Sequence, residues 1–335
     1  MKKPRPIWAI VFGILLCGWT AYVMLDIFVI VRPVQTNATE MNLSLFETTP
    51  TAAPLPTATP IPVPTEPGAT PAPEVTLPPT PTPTPSIFSE EVVATDTFYS
   101  NDHLAIQISE YREHGTTIHV AEVWVTSAQY IYTAFAKDTF GRNVYEKPSR
   151  MSKAKDAVFA VNGDNYGSRE GGYVIRNGVL YRAKKYQKTS RDVLCIMADG
   201  DFVFTSCYMA KAEDLLAIGA WQAWTFGPVL VDGGELKVTT KSEVDLSFKD
   251  NPRTAIGMVE PLHYFFVVAD GRTTKSPGLS LYQLADFMKR LGCSKVYNLD
   301  GGGSSTMVFR GKVINFPTSY GTYYEKEVTD IVYLR

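Results

Sequence analysis

Asn298-Leu299-Asp300-Gly301-Gly302-Gly303-Ser304-Ser305-Thr306-Met307 gathers a carboxylate, a glycine run and a hydroxyl run at one point of the chain. Without a Cβ, Gly301, Gly302 and Gly303 let the backbone take positive φ and come close to a ligand, and successive N–H groups there can form a concave nest for an anion. Ser304 and Ser305 read as donors to a bound anion or sugar. The plainer alternative is a tight turn, but a turn needs one or two glycines and not a run followed by hydroxyls.

Other polar groups recur where apolar runs end. Asn162-Gly163-Asp164 follows Ala157 to Val161, and Asp270 and Arg272 follow Tyr264 to Ala269. Each alone suits a turn. Together with Asp300, the acids Asp164 and Asp270 suit glycosyl transfer, in which one carboxylate stabilises or attacks the cationic anomeric carbon and another moves a proton. Arg253 and Thr254, in Asn251-Pro252-Arg253-Thr254-Ala255, and Arg272 suit a phosphate held through planar bidentate contacts. Surface ion pairing is the ordinary use of such arginines. Asp164, Asp270 and Asp300 with Asn162 could instead hold Ca²⁺ or Mg²⁺, which prefer oxygen ligands, although no spacing motif supports it. Gly-x-Ser-x-Gly and Gly-Lys-Ser/Thr are absent, and so are CxxC and HxxxH, which disfavours a nucleophilic serine, a P-loop and a zinc site.

The elements that must position these groups are strands for the most part. Ser280-Leu281-Tyr282-Gln283 has capping-box form, and Leu281, Leu284, Ala285, Met288 and Leu291 recur at helical spacing before Gly292. This amphipathic helix leads through a short strand to Asp300. Leu104 to Ile108 and Ile118 to Val125 alternate around Gly115 as a hairpin, and Ser149 to Lys155 reads as a short helix. Turns are expected at Asn177-Gly178, Asp199-Gly200, Asp232-Gly233 and Arg310-Gly311. The class is α+β, a sheet-rich mixed α/β single domain. Cys195, Cys207 and Cys293 lie outside the apolar N-terminal run and are odd in number, so buried thiols are expected rather than a disulfide framework. A two-residue turn at Asp199-Gly200 would set Cys195 opposite Phe204 and point Cys207 to the other sheet face.

Lys2, Lys3 and Arg5 precede an uncharged run from Pro6 to Leu25, which continues after Asp26 to Val31. About 20 apolar residues cross a bilayer, and no small-x-small exit follows, so residues 1–32 read as an uncleaved signal anchor with the N-terminus inside the cell. Residues 33–86 read as a linker. Its Pro/Thr-rich part, Pro50 to Pro85, favours extended polyproline II and could hold the next domain about 100 Å away. Residues 87–335 are enough for one sizeable domain. The net charge of -2 makes no electrostatic case for nucleic acid.

Five segments occur in an order that resembles the phosphodiester glycosidase domain family. They are Ala160 to Gly167, Phe226-Gly227-Pro228-Val229-Leu230, Pro252 to Gly257, Asp270-Gly271-Arg272, and Asn298 to Met307. The resemblance runs from about Ser149 to the C-terminus. It implies hydrolysis of a sugar from a phosphodiester at its anomeric carbon, here by a protein of a bacterial cell surface acting on envelope polysaccharide or glycolipid. Asp300 and Asp164 would be the acid pair. Asn165-Tyr166 stands where the family usually has an aromatic pair, which bears on substrate identity, and Glu325-Lys326 stands where Glu-Arg is expected, which bears on packing. A non-catalytic module gripping wall or exopolysaccharide is the alternative from another class.

Overall fold

The computed structural model describes residues 7–28, 30–33, 39–46, 87–185, 191–242, 250–319 and 321–335. Helix α1 (Ile7–Phe28) has 22 residues, about 33 Å at the helical rise. Its stretch Trp8–Asp26 has a mean hydropathy of 1.9 and buries nothing against the rest of the protein. That length and composition fit a membrane anchor or a signal sequence.

In chain order, the elements that frame the site are β1 (Leu104–Glu113), β2 (Thr116–Val125), α2 (Pro148–Ala154), β3 (Phe159–Asn162), β4 (Gly172–Arg176), β5 (Ala220–Trp224), β6 (Arg253–Glu260), β7 (His263–Ala269), α3 (Leu281–Arg290), β8 (Lys295–Asn298), β9 (Met307–Phe309) and β10 (Asp330–Leu334). β8, β6, β7, β2 and β1 lie side by side in a nine-stranded sheet. A six-stranded sheet contains β5 next to β4, and a five-stranded sheet runs β9, β3, β10 through its centre. Paired strands are antiparallel throughout the described residues.

The hairpin of β1 and β2 closes at His114-Gly115, where both residues take positive φ, the left-handed pair that matches strand twist. Asn177-Gly178 and Arg310-Gly311 close hairpins in the same way. The turn expected at Asp232-Gly233 sits one residue later, at Gly233-Gly234. β6 and β7 are central and apolar, with Ala255, Ile256, Phe266, Val267 and Val268 fully buried. α3 begins with the predicted capping box between Ser280 and Gln283, and Leu281, Leu284, Ala285 and Met288 are buried in the main core.

Two expectations are corrected. Ile196 pairs with Phe202, so the loop after Met197 is longer than a two-residue turn. Cys195 then faces Val203 rather than Phe204. Cys195 and Cys207 share one apolar cluster instead of opposite faces, and with Cys293 they are free and buried. The second correction concerns residues 33–86. Thr39–Glu40 pairs with Val179 and Leu180 at the edge of the six-stranded sheet, Met41 is buried, and the Phe46 ring meets Trp221 at 5.3 Å. These residues join the folded body because they carry apolar side chains that the Pro/Thr run lacks. The Pro/Thr run itself lies outside the described residues.

Candidate active site

Asp300 follows the end of β8, where two sheets meet. Ala255 of β6 pairs with Asn298, the Leu299 amide donates to the Thr254 carbonyl at 2.9 Å, and the Asp300 amide donates to the Gly163 carbonyl at 3.2 Å. Asn162, at the end of β3, is fully buried. Its Nδ2 donates to the Asp300 carbonyl at 2.6 Å, and its Oδ1 accepts from the Thr254 hydroxyl at 2.8 Å and the Thr306 amide at 3.2 Å. One amide side chain therefore ties both ends of the Asp300 loop to β6. This is a positioning role, with no polar atom of Asn162 left for a ligand.

The glycine run is consumed more by its own fold than its sequence suggests. The Gly302 amide donates to the Pro252 carbonyl at 2.8 Å, Ser304 to Gly301 and Ser305 to Gly302. Most of the expected anion nest is thus internal hydrogen bonding. The glycines instead permit close approach: Gly302 has φ +60, and a Cβ there would lie 2.7 Å from Nη2 of Arg272. That guanidinium sits over the loop, on an exposed residue, with Nε 3.3 Å from Asn251 Oδ1. Gly303 lies under the aliphatic stem of Lys326, whose Nζ donates to the Ser304 hydroxyl at 3.2 Å.

Asp300 is half-buried, whereas Asp164 is 1% exposed and Asp270 7%. Burial raises the Asp300 pKa above the ordinary carboxylate value. A hydrogen bond from Ser304 and the charges of Lys326 and Arg169 oppose that shift, and Asp164 adds to it. Arg169 is half-buried and stacks over the Phe226 ring at 4.4 Å. The accessible acid thus feels the charges of Lys326 and Arg169, while Arg272 lies over the adjoining glycine.

Asp164 does not face that space. Its Oδ1 accepts from Arg176 at 2.8 Å and its Oδ2 from the Thr225 amide at 3.0 Å. The same Arg176 Nη2 donates to Asp330 at 3.1 Å, and all three side chains are 1% exposed or less. Two carboxylates thus share one guanidinium away from water. Desolvation, then repulsion from Asp164, pushes the Asp330 pKa up to about 7, against the pull of Arg176. Gly163 makes the arrangement sterically feasible, since a Cβ there would fall 2.3 Å from an Asp330 oxygen.

Asp270 is also held. Its Oδ1 accepts from the Phe316 amide at 2.8 Å and Asn315 Nδ2 at 3.3 Å, and its Oδ2 lies 3.5 Å from His119 Nε2. It borders a surface cavity of about 460 Å³ together with Lys275, Ser276 and Phe316. Arg253 is buried with Nε bonded to the Leu279 carbonyl. Thr254 is buried with its hydroxyl on Asn162. Ser304 touches Asp300, while Ser305 is buried beneath the loop. Of the residues considered for Ca²⁺ or Mg²⁺, Asp164, Asp270 and Asn162 direct acceptors to protein donors. Among the described residues no cluster of three His, Cys, Asp or Glu side chains could hold a metal.

A family model described as phosphodiester glycosidase matches residues 155–335, more than half of the chain. The chain belongs to the phosphodiester glycosidase family. An SPbeta prophage-derived uncharacterized protein of Bacillus subtilis is 31% identical over 182 residues, 52% of this chain and 28% of its own length. The bovine N-acetylglucosamine-1-phosphodiester alpha-N-acetylglucosaminidase is 23% identical over 181 residues, 53% of this chain and 30% of its own. The chain thus spans under a third of the length of these relatives. The zebrafish catalytic domain of that enzyme, auto-inhibited by its pro-peptide, superposes with a TM-score of 0.55 at 20% identity, covering 69% of this chain and 82% of that one. This likeness shows a shared fold.

Within this phosphodiester glycosidase domain, Asp300, Ser304, Lys326, Arg169 and Arg272 gather around one loop. Asn162, Gly163, Asp164 and Thr254 hold that loop in place from behind, and Asp270 and Arg253 are anchored in the surrounding structure. Lys326, expected to matter for packing, reaches the site instead. Its neighbour Glu325 does the packing, accepting from the Ser149 amide at 2.7 Å and hydroxyl at 2.8 Å in the first turn of α2. Arg169, Arg176 and Asp330 gave no motif by themselves. Arg169 lies on the loop opened by Asn162-Gly163-Asp164, and that adjacency was the available signal.

Proposed function

We propose that the protein is a membrane-anchored phosphodiester glycosidase of the outer cell surface, hydrolysing the anomeric C–O bond of sugar-1-phosphodiesters. The observation that carries this reading is the half-buried Asp300 with its raised pKa, bonded to Ser304 and near the charges of Lys326 and Arg169, with Arg272 over the adjoining Gly302. A phosphodiester glycoside needs both halves of that arrangement. Water attacks the anomeric carbon and loses a proton to Asp300, while the C–O bond breaks and its electron pair leaves on the phosphate oxygen. Because the leaving group is a phosphate monoester, it needs cations near its charge more than a second acid to protonate it. One accessible carboxylate and several cations suit this chemistry better than the two facing carboxylates of ordinary glycoside hydrolysis. Asp164 acts from behind the loop, through the negative charge it presents to Asp300 and through its grip on Arg176 and the Thr225 amide.

Turnover of a sugar-1-phosphodiester in ¹⁸O-labelled water tests the bond that breaks. Label is expected in the sugar hydroxyl, and label in the phosphate would refute glycosidase chemistry. Asp300→Asn keeps the size and removes the base, so turnover is expected to fall by about 10³-fold or more, in line with loss of a general base together with its charge. Tight glycan binding unaffected by Asp300→Asn, with no turnover by the parent protein, would mark a binding module instead.

A further inference from the structure

The route of the chain between α1 and the folded body bears on where this site works. The Ile30 amide donates back to the Leu25 carbonyl at 2.8 Å, and Asn143 Nδ2 donates to the Ile30 carbonyl at 3.1 Å. Arg32 and Pro33 then pair with Arg142 and Gly141. Four residues from Phe28 to Arg32 reach at most about 14 Å even when fully extended. Further on, Thr39–Glu40 and Met41 dock on the hairpin at Gly178 to Leu180, with the Met41 amide donating to the Gly178 carbonyl at 2.7 Å. The Pro/Thr run begins only after Phe46, and Ile87 on its far side is again on the body, its carbonyl accepting from the Ser100 hydroxyl at 2.7 Å. Both flanks of the run are therefore fixed to the same domain, and its length does not set the distance from α1 to the domain.

The attachment point adjoins the Asp300 site. The Gly141 amide donates to the Tyr166 hydroxyl at 3.4 Å, and Gly167 packs so near the Gly141 carbonyl that a Cβ would lie 3.0 Å from it. Arg142 pairs with Glu170 at 2.9 Å. Tyr166 to Glu170 is the loop that carries Arg169 to Asp300. Beside it, the half-buried Phe140 stacks on the buried Tyr166 ring at 5.1 Å and meets half-buried Phe135 at 5.3 Å and Tyr181 at 5.2 Å. Of these, the partly exposed Tyr181 is of the type enriched at the headgroup level of a bilayer.

We infer that the docked residues 30–33 and 39–46 strap the domain against the bilayer. The Asp300 site then meets glycosyl phosphodiesters whose aglycone is a membrane lipid. The substrate class rests on the glycosidase reading above, whereas the strap rests only on α1 spanning the membrane. Full-length protein is reconstituted in liposomes with a fluorophore on Glu170→Cys in a Cys17→Ser background and an acceptor on the lipid headgroups. Strong energy transfer is expected. An extended spacer of about 100 Å would leave almost none, and that result overturns the strap.

The same liposomes carry a sugar-1-phosphodiester esterified to a long-chain lipid alcohol, and its turnover is compared with that of the water-soluble methyl diester of the same sugar phosphate. The lipid form is expected to turn over at least tenfold faster at equal bulk concentration. Inserting a 30-residue Gly/Ser spacer between Val29 and Ile30 should erase that advantage and leave methyl diester turnover unchanged, and deleting residues 50–85 should leave both unchanged. Equal turnover of the two diesters, or indifference to the spacer, overturns the lipid assignment with the glycosidase reading intact. Turnover of neither diester sinks that reading, and the lipid assignment with it, while energy transfer still decides the strap.

Discussion

Asp330→Asn tests whether the buried acids behind the site share a proton. With Asp164, Arg176 and Asp330 all 1% exposed or less, full ionisation would leave one uncompensated negative charge away from water. The fold relieves this by pushing the Asp330 pKa up to about 7, against about 3.9 in an unfolded chain. Between those values the folded state holds a proton that the unfolded state has released. The contribution is therefore complete below about pH 4 and is lost as pH rises towards 7, after which it levels off. The slope is on the order of 1.4 kcal/mol per pH unit. At about 2–4 °C per kcal/mol for a body of this size, the melting temperature should fall by roughly 3–6 °C per pH unit from this group.

Asparagine keeps the shape and cannot ionise, so the variant lacks this slope. Melting curves of both full-length proteins in one detergent, followed by tryptophan fluorescence from pH 4.5 to 8, let contributions common to both cancel. The variant should gain on the parent steadily up to about pH 7 and hold that gain above it. A difference that stays flat, or a parent that gains on the variant as pH rises, would refute the reasoning. It would mean that Arg176 keeps both carboxylates ionised throughout.

Lys326→Met removes a cation that favours the charged form of Asp300, so the acidic limb of kcat/KM against pH should move to higher pH. An unmoved limb would detach Lys326 from the acid. Asn162→Ala strips partners from the Asp300 carbonyl, the Thr254 hydroxyl and the Thr306 amide at once. With buried groups costing about 1–3 kcal/mol each when left unpaired, a loss of at least about 2 kcal/mol should appear as a lowered melting temperature, with turnover falling as well.

What the sequence disclosed about this site follows from how local each signal was. Asp300 was legible because its glycines and hydroxyls are contiguous, and the helix before it because Ser280 and Gln283 sit three residues apart on a capping template. Asn162-Gly163-Asp164 was visible as a strand end, yet its division of labour was not. Whether Asp164 faces a substrate or an arginine depends on Arg176 in another sheet, and no spacing encodes that meeting. The same limit hid Lys326, which reaches Ser304 across 22 residues of sequence, and made Arg253 look accessible when β6 carries it into the interior.

The site is consequently a junction of sheets, and its two functional demands fall on different layers. In the proposed mechanism, the charge that meets the ligand, on Asp300, Lys326, Arg169 and Arg272, is carried by loops. Charge and amide groups that fix those loops, on Asp164, Arg176, Asp330 and Asn162, are buried on or beside the strands, where rigid packing holds their geometry. A loop rich in glycine loses much conformational freedom on folding. Asn162 limits that freedom by gripping both ends of the loop, so Asp300 can stay partly exposed while its backbone remains fixed.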